Sequence, residues 1–435
     1  MTLLQQTAEE RATLRKVWRR LLPLLLLLYV VSWIDRVNVG FAALQMNHAL
    51  GFSAAVYGLG AGLFFVGYSV FEIPSNAILA RLGARRWIAR IMVTWGIASV
   101  AMAFVRSAHG YYWLRFLLGV AEAGFFPGII YYIGTWFPAD ARAKAMASFT
   151  LAMPLASAIG GPLAGLLLGL DGKLGLGGWQ WLFVAEGTPA VLLGVLVLWC
   201  LPDSPAHAKW LTPSAREALT ARLAREWSEQ HPDRASDWRE MLSNRFVWLL
   251  ALSFFLASIG SYGLQFWLPE ILKSVPGRSD LVVGMLSAIP YLPAALAMTL
   301  LARHSDRTGE RVWHAAVPCL VSGLAFCVAA YTVSPMWSLV ALSVAAAGVY
   351  GRHGSFWTLP PRFLGGRTAA TGIALITSVG STGGFVSPYV VGRIRDATGS
   401  YAGALVFLGA AMLLSGVLLL PMATRLPAPR PQPEP

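Results

Sequence analysis

The sequence predicts an all-α membrane protein: twelve transmembrane helices in two pseudo-symmetric six-helix bundles, with both termini in the cytoplasm. Three observations predict it. Of 435 residues, 56% are hydrophobic and only 13% charged, with a mean hydropathy of +0.58, whereas soluble domains carry about 25% charged residues. Twelve apolar segments are each long enough to cross a bilayer, which takes about 20 residues. A single offset of 226 residues also superposes one half on the other, placing Arg81 on Arg307, Gly83 on Gly309, Arg85 on Arg311, Phe137 on Phe363 and Pro162 on Pro388. These matches fall in three separate helix connections, so duplication explains them better than chance likeness of short loops.

The segments follow in order, with cores at 21–43, 56–79, 88–106, 111–134, 146–170, 179–201, 246–271, 281–302, 312–332, 337–359, 369–391 and 402–421. The expected organisation is an N-terminal segment 1–20, a bundle 21–201, a polar central loop 202–245, a second bundle 246–421 and a tail 422–435. Arg11, Arg15, Lys16, Arg19 and Arg20 precede the run Leu21 to Val31 as in a signal peptide. The apolar character continues through Phe41 and no small-residue cleavage site follows, so the segment reads as a retained first span. The proline-rich tail from Pro427 is expected to be disordered.

Charge sets the orientation. Basic residues crowd the N-terminal segment, the central stretch and alternate short loops, for example Arg81, Arg85, Arg86, Arg142, Lys144, Arg303, Arg307, Arg311, Arg362 and Arg367. The opposite loops hold few, such as Arg106, Lys173, Lys273 and Arg278. The positive-inside rule then puts both termini and the central loop in the cytoplasm. The net charge of +13 and pI near 10 are thereby topology signals, which excludes a nucleic-acid partner. Cys200, Cys319 and Cys327 lie in or beside apolar runs without metal spacing and read as packing residues.

Ionisable residues inside the apolar segments are costly, about 2.5–3.5 kcal/mol each on insertion scales, and mark pathways. Asp35, Arg36 and Asn38 lie in the first segment, Arg115 and Glu122 in the fourth. Arg115 and Glu122 share one helical face about 10 Å apart, with Gly119 and Ala123 as small packing positions. Asp35 and Asn38 share a face and Arg36 points about 100° away, so Asp35 and Arg36 are expected to have separate partners. Tyr68 of the second segment is a candidate for the same chamber or an aromatic packing residue. In the tenth, Gly351-Arg352-His353-Gly354 brings a second cation from the other half. Two placements fit Arg352: against a second acidic group of a substrate, or at the cytoplasmic mouth, reaching water. His353 titrates near neutral pH in its ordinary state. Trp357 and Thr377 complete the candidate lining. Glu72 and Glu186 rank below Glu122.

The basic turns Arg81-Leu82-Gly83-Ala84-Arg85-Arg86 and Asp306-Arg307-Thr308-Gly309-Glu310-Arg311 are both topology signals and candidate cytoplasmic gates, pairing with acids or helix C-termini. Gly160-Gly161-Pro162, and Gly383-Gly384 with Pro388, mark bends in the fifth and eleventh segments, with packing preferred over hinging.

Taken together these residues resemble the major facilitator superfamily over nearly the whole chain, through the Arg-x-x-x-Gly stretch at Arg115 and the paired basic loops. More specifically, Trp33-Ile34-Asp35-Arg36-Val37-Asn38, Arg115 to Glu122 and the run Phe64 to Pro74 resemble the anion:cation symporter family of bacterial carriers for tartrate, sugar acids, phthalates and hydroxyphenylacetates. The run from Gly60 to Ile91 is most similar to its tartrate branch. The resemblance implies that Asp35 and Glu122 take the protons, that Arg36 and Arg115 bind the carboxylate or gate its access, and that Tyr68 contacts substrate. It also implies a bacterial inner membrane. The chain departs at Ala80, where the superfamily often has Asp. It departs again at Thr377, where sugar-acid members carry Asn, and at Met153-Pro154, where they carry Gln. The last two sit where substrate hydroxyls would be read, and they count against a sugar acid. Arg352-His353 is unusual for the family.

The expected function is proton-coupled uptake of a small organic carboxylate, tartrate or a related hydroxy, sugar or aromatic acid, by alternating access. The partners are that anion, protons and the lipid bilayer, with the monomer as working unit. No cofactor, metal site or enzymatic activity is expected, since no catalytic triad, nucleotide loop or metal cluster is found. The nearest rival is a proton-driven exporter of organic anions or drugs, to which Ser157-x-x-x-Gly161-Pro162-x-x-Gly165 has a loose resemblance. A membrane sensor is the rival from another class, and no signalling domain flanks the segments.

Overall fold

A computed structural model describes residues 8–230, 242–363 and 366–423. The described residues are helical and contain no strand. The spans, in order, are Ala8–Leu50, Ala54–Leu82, Ala84–Met102, Ala108–Glu122 with Phe125–Trp136, Ala139–Leu168, Gly178–Cys200, Arg245–Lys273, Asp280–Ala288 with Tyr291–Thr308, Val312–Tyr331, Pro335–Gly351 with His353–Phe356, Gly366–Thr398 and Ala402–Ala423. Ten of these stretches are long and apolar enough to cross a membrane alone. The other two are the third, which opens on Arg85, Arg86 and Arg90, and the tenth, which is interrupted at Arg352. The expected tail from Pro427 lies outside the described residues.

The first span departs from its expected core of 21–43. It is 43 residues long, about twice what a bilayer core requires, and its basic first turns extend beyond the apolar run. The central stretch 202–245 also departs from a plain loop, because residues Pro213–Gln230 form a helix. Ala215 and Leu219, four residues apart, bury one apolar stripe of it against Leu14 of the first span. Arg20 lies 5.5 Å over the Trp210 ring.

The two halves meet through symmetry-related pairs of spans. The second packs along the eleventh and the fifth along the eighth, while the first meets the seventh. The offset of 226 carries the second span onto the eighth and the fifth onto the eleventh, so these two contacts are images of one another. The glycines at their closest approaches are images too. A Cβ on Gly58 would stand 2.2 Å from the Pro388 carbonyl oxygen, and one on Gly284 would stand 2.4 Å from that of Gly161. Only glycine admits backbone this close. Gly161 thus serves packing, as expected. Replacing Gly58 with leucine forces the second and eleventh spans apart. Overpacking of this kind costs about 1–3 kcal/mol, and a lowered melting temperature of the purified protein is the expected reading.

These contacts close one end of the molecule. There Tyr57 Oη donates to Phe266 O at 3.0 Å and Gln45 Nε2 to Asp280 Oδ2 at 2.7 Å. The amides of Ala54 and Ala55, free at the start of the second span, donate to Asp396 at 3.0 and 2.8 Å. At the opposite end, which carries the arginine-rich turns, a cavity of about 430 Å³ separates the halves.

The turns themselves pair within their own halves. The Arg85 amide donates to Asp203 Oδ1 at 2.9 Å, and Gly83 takes a φ of 87°. Arg311 Nη1 donates to Asp306 Oδ1 at 2.5 Å, and Arg362 Nη2 to the carbonyl of Gly309, whose φ is 69°. Arg81, Arg86 and Arg307 are exposed. Glu310 caps the ninth span by accepting from the amides of Trp313 and His314. Burial pushes its carboxyl up, but those amides and the His314 ring outweigh burial and hold it below the usual carboxylate value. The stability it contributes is present above the unfolded value and is lost as pH falls through the lower folded one.

Candidate functional site

The fourth span is not continuous. It breaks after Glu122, where Gly124 turns into the left-handed region with φ 85° and a second helix starts at Phe125. Ser75 Oγ donates to the freed Ala123 carbonyl at 2.6 Å. The sequence expected one helix over 111–134, and Gly124 with Pro127 is the signal that reveals the break.

Glu122 stands at that break with no exposed surface. Arg36 donates to its Oε1 through both Nε and Nη2, and Ser32 Oγ donates to the same oxygen at 3.1 Å. Oε2 has no partner. The Arg36 guanidinium lies 5.7 Å from the Trp33 ring, 5.5 Å from Phe64 and 5.2 Å from Tyr68. Aromatic faces hold a guanidinium well, and here they leave Arg36 lining the cavity.

Asp35 faces the other way, as the helical phase requires. It accepts from Trp95 Nε1 at 2.6 Å, from Ser99 Oγ, and from Asn38 Nδ2 at 3.1 Å. The separate partners expected for Asp35 and Arg36 are found. Asp35 and Asn38 therefore sit between the first and third spans and do not line the cavity, which corrects Asn38 as a lining residue. Arg115 is corrected likewise. It is fully buried, reaching the carbonyls of Gly60 and Ala61 at 3.4 Å. Two helical turns from Glu122, it packs beneath the Phe64 ring at 5.0 Å, toward the closed end.

Arg352 is 2% exposed and lines the cavity, so the placement at the mouth is excluded. Its guanidinium packs on Phe356 at 4.3 Å and Phe254 at 5.7 Å. The polar contact of its head is Nη1 to Ser415 Oγ at 3.5 Å, while Nε and Nη2 have none. Among the described residues no acid pairs with it. His353, Trp357, Thr377 and Tyr68 line the same cavity, and His353 Nδ1 has no partner.

Several lining residues escaped the sequence reading: Tyr262, Tyr29, Ser258, Tyr350 and Met153 as a wall position; Glu72, ranked below Glu122, also lines the cavity. The signal for some was present. Shifting Arg36 by 226 gives Tyr262, shifting Ser32 gives Ser258, and shifting Phe126 gives Arg352; Arg36, Phe126 and all three shifted positions line the cavity.

The arrangement can hold an anion between two cations from opposite halves, inside an aromatic wall. Comparison with known proteins gives the family. A protein of Agrobacterium vitis named "Putative tartrate transporter" is 48% identical over 420 residues, covering 96% of each chain. The "Quinolone resistance transporter" of Acinetobacter baumannii is 44% identical over 409 residues, covering 94% of each. The crystal structure of a D-xylose–proton symporter shares the fold, with a TM-score of 0.74 at 14% identity over 94% of this chain and 98% of that one. The family profile of the Major Facilitator Superfamily matches residues 25–388. The chain belongs to the Major Facilitator Superfamily, and it is a multi-pass membrane transporter rather than an enzyme.

Proposed function

We propose that this transporter carries a small organic diacid, of which tartrate is the model, together with protons across a bacterial inner membrane into the cell. The observation that carries the reading is the pair of arginines from opposite halves, Arg36 and Arg352, lining one cavity, the second of them without an acidic partner. A buried charge without a counter-ion is costly, and a carboxylate offers guanidinium its best two-pronged acceptor. The relatives named for tartrate support the choice of acid.

Coupling follows from the ion pair. With Glu122 ionised, its carboxylate occupies Arg36. A proton on Glu122 releases the guanidinium to the incoming anion, so proton and anion load together. The halves then rock about the site, with the arginine-rich turns as the cytoplasmic gate and the cavity of this structure open toward that side. Asp35 and Arg115 act from behind this layer by positioning the first and fourth spans.

A second reading is export of an aromatic acid. The aromatic wall of Tyr29, Trp33, Tyr262 and Trp357 favours it, as does the relative named for quinolone resistance. Reconstitution in liposomes separates the two. Under an inward proton gradient the protein accumulates labelled tartrate uphill. Absence of gradient-driven entry, with efflux alone, selects export.

A further inference from the structure

Glu186 of the sixth span takes no part in the cavity. It is 5% exposed, and neither carboxylate oxygen has a hydrogen-bond partner. Its polar neighbours are Asn38 and Asp35. The setting is rigid, since the third and sixth spans meet here at backbone contact, with a Cβ on Gly187 standing 2.9 Å from the Gly96 carbonyl and 3.0 Å from Ser99 Cβ. No cation faces it. The third span carries no ionisable group from Ile91 to Met102 and the fifth none from Ala145 to Leu168. The first contributes Asp35, on which Arg115 and Glu122 of the fourth span also act.

Asp35 and Glu186 differ in what they are offered. Asp35 has three donors, from Trp95, Ser99 and Asn38, and its anion is satisfied. Glu186 has no donor of its own, because the amide of Asn38 beside it is given to Asp35, and an ionised carboxylate without donors or counter-ion is costly in such surroundings. Asn38 supplies the complement: its Nδ2 is spent on Asp35, but its Oδ1 is an acceptor without a donor. A protonated carboxyl is a donor. With the proton on Glu186, the chain from Glu186 O–H to Asn38 Oδ1, and from Asn38 Nδ2 to Asp35, is satisfied at every link. Without the proton, Asn38 must turn its amide toward Glu186, and Asp35 loses a donor.

We propose that Glu186, Asn38 and Asp35 form a second proton-binding site, behind the first span and apart from the cavity, in which Glu186 holds the proton and Asn38 passes its presence to Asp35. Its place in transport rests on the proton-coupled reading above, but its existence does not. Infrared spectroscopy of the purified full chain tests it. The wild type shows the carbonyl stretch of a protonated carboxyl at neutral pH. Glu186→Gln, which keeps shape and a donor toward Asn38, loses that band, and Asn38→Leu shifts the pH at which it titrates. A band unchanged in Glu186→Gln overturns the proposal. So does a sodium-dependent rise in melting temperature that this variant abolishes, because the oxygens would then be holding a metal cation. In liposomes, the pH dependence of tartrate uptake by Glu186→Gln shifts from that of the wild type, and an identical profile overturns the coupling role. A wild type that shows the band but no proton-driven uptake defeats the functional reading and leaves the site standing.

Discussion

Glu122→Gln protein fails to accumulate tartrate under an inward proton gradient, yet still exchanges internal for external tartrate. Glu122 is wholly buried, and among the described residues its carboxylate is hydrogen-bonded by Arg36 and Ser32 alone, through one oxygen. Glutamine keeps the shape and a carbonyl acceptor for Arg36 but cannot cycle a proton. The guanidinium is then permanently available to the anion, so binding survives while the gradient loses its hold. The reciprocal change behaves differently. Arg36→Ala leaves a buried carboxylate without its cation, and removing one partner of a buried pair costs about 3–5 kcal/mol. That variant loses both thermal stability and uptake. Vesicle assays with labelled tartrate, alongside melting curves, read both. Gradient-driven accumulation that persists in Glu122→Gln removes this acid from the coupling.

The opposite orientations of Asp35 and Arg36 were legible because adjacent positions on a helix point about 100° apart, and the structure gives each its own partners. The repeat was legible in the loops, and its offset reaches further than the loops that revealed it: Gly58 and Gly284 are images, and each stands at the tightest backbone approach of its own pair of spans. Arg115 shows where such reasoning stops. Helical phase establishes that it shares a face with Glu122, but not what that face meets. Two turns along, the neighbour is the backbone of the second span rather than open space. The break at Gly124 and the helix Pro213–Gln230 were missed for a related reason. An apolar run hides a turn whose freed carbonyl is satisfied by a distant serine, and a polar segment hides a helix whose apolar stripe is only a few residues long.

Arg352 illustrates a second limit, since an isolated arginine near a helix end fits the mouth or the core equally well by sequence, and only packing on Phe356 and Phe254 decides. Its environment also fixes the sign of a prediction. Arg352→Leu raises the melting temperature of the empty transporter and weakens tartrate binding. The charge lies at 2% exposure with two of its nitrogens unpartnered, and replacing a buried, uncompensated ion by a well-packed apolar side chain is stabilising. Binding moves the other way, because a hydrogen bond to a charged group is worth about 1.5–3 kcal/mol, a loss of roughly ten- to a hundredfold in affinity. Arg352→Lys keeps the charge but not the fork, so it retains part of the affinity. Titration calorimetry and thermal unfolding of the three proteins separate the effects. If Arg352→Leu melts lower than the parent and binds tartrate equally well, the arginine is a structural element and the anion is held by Arg36 alone. Stability gained where affinity is lost is the signature of a residue kept for its ligand.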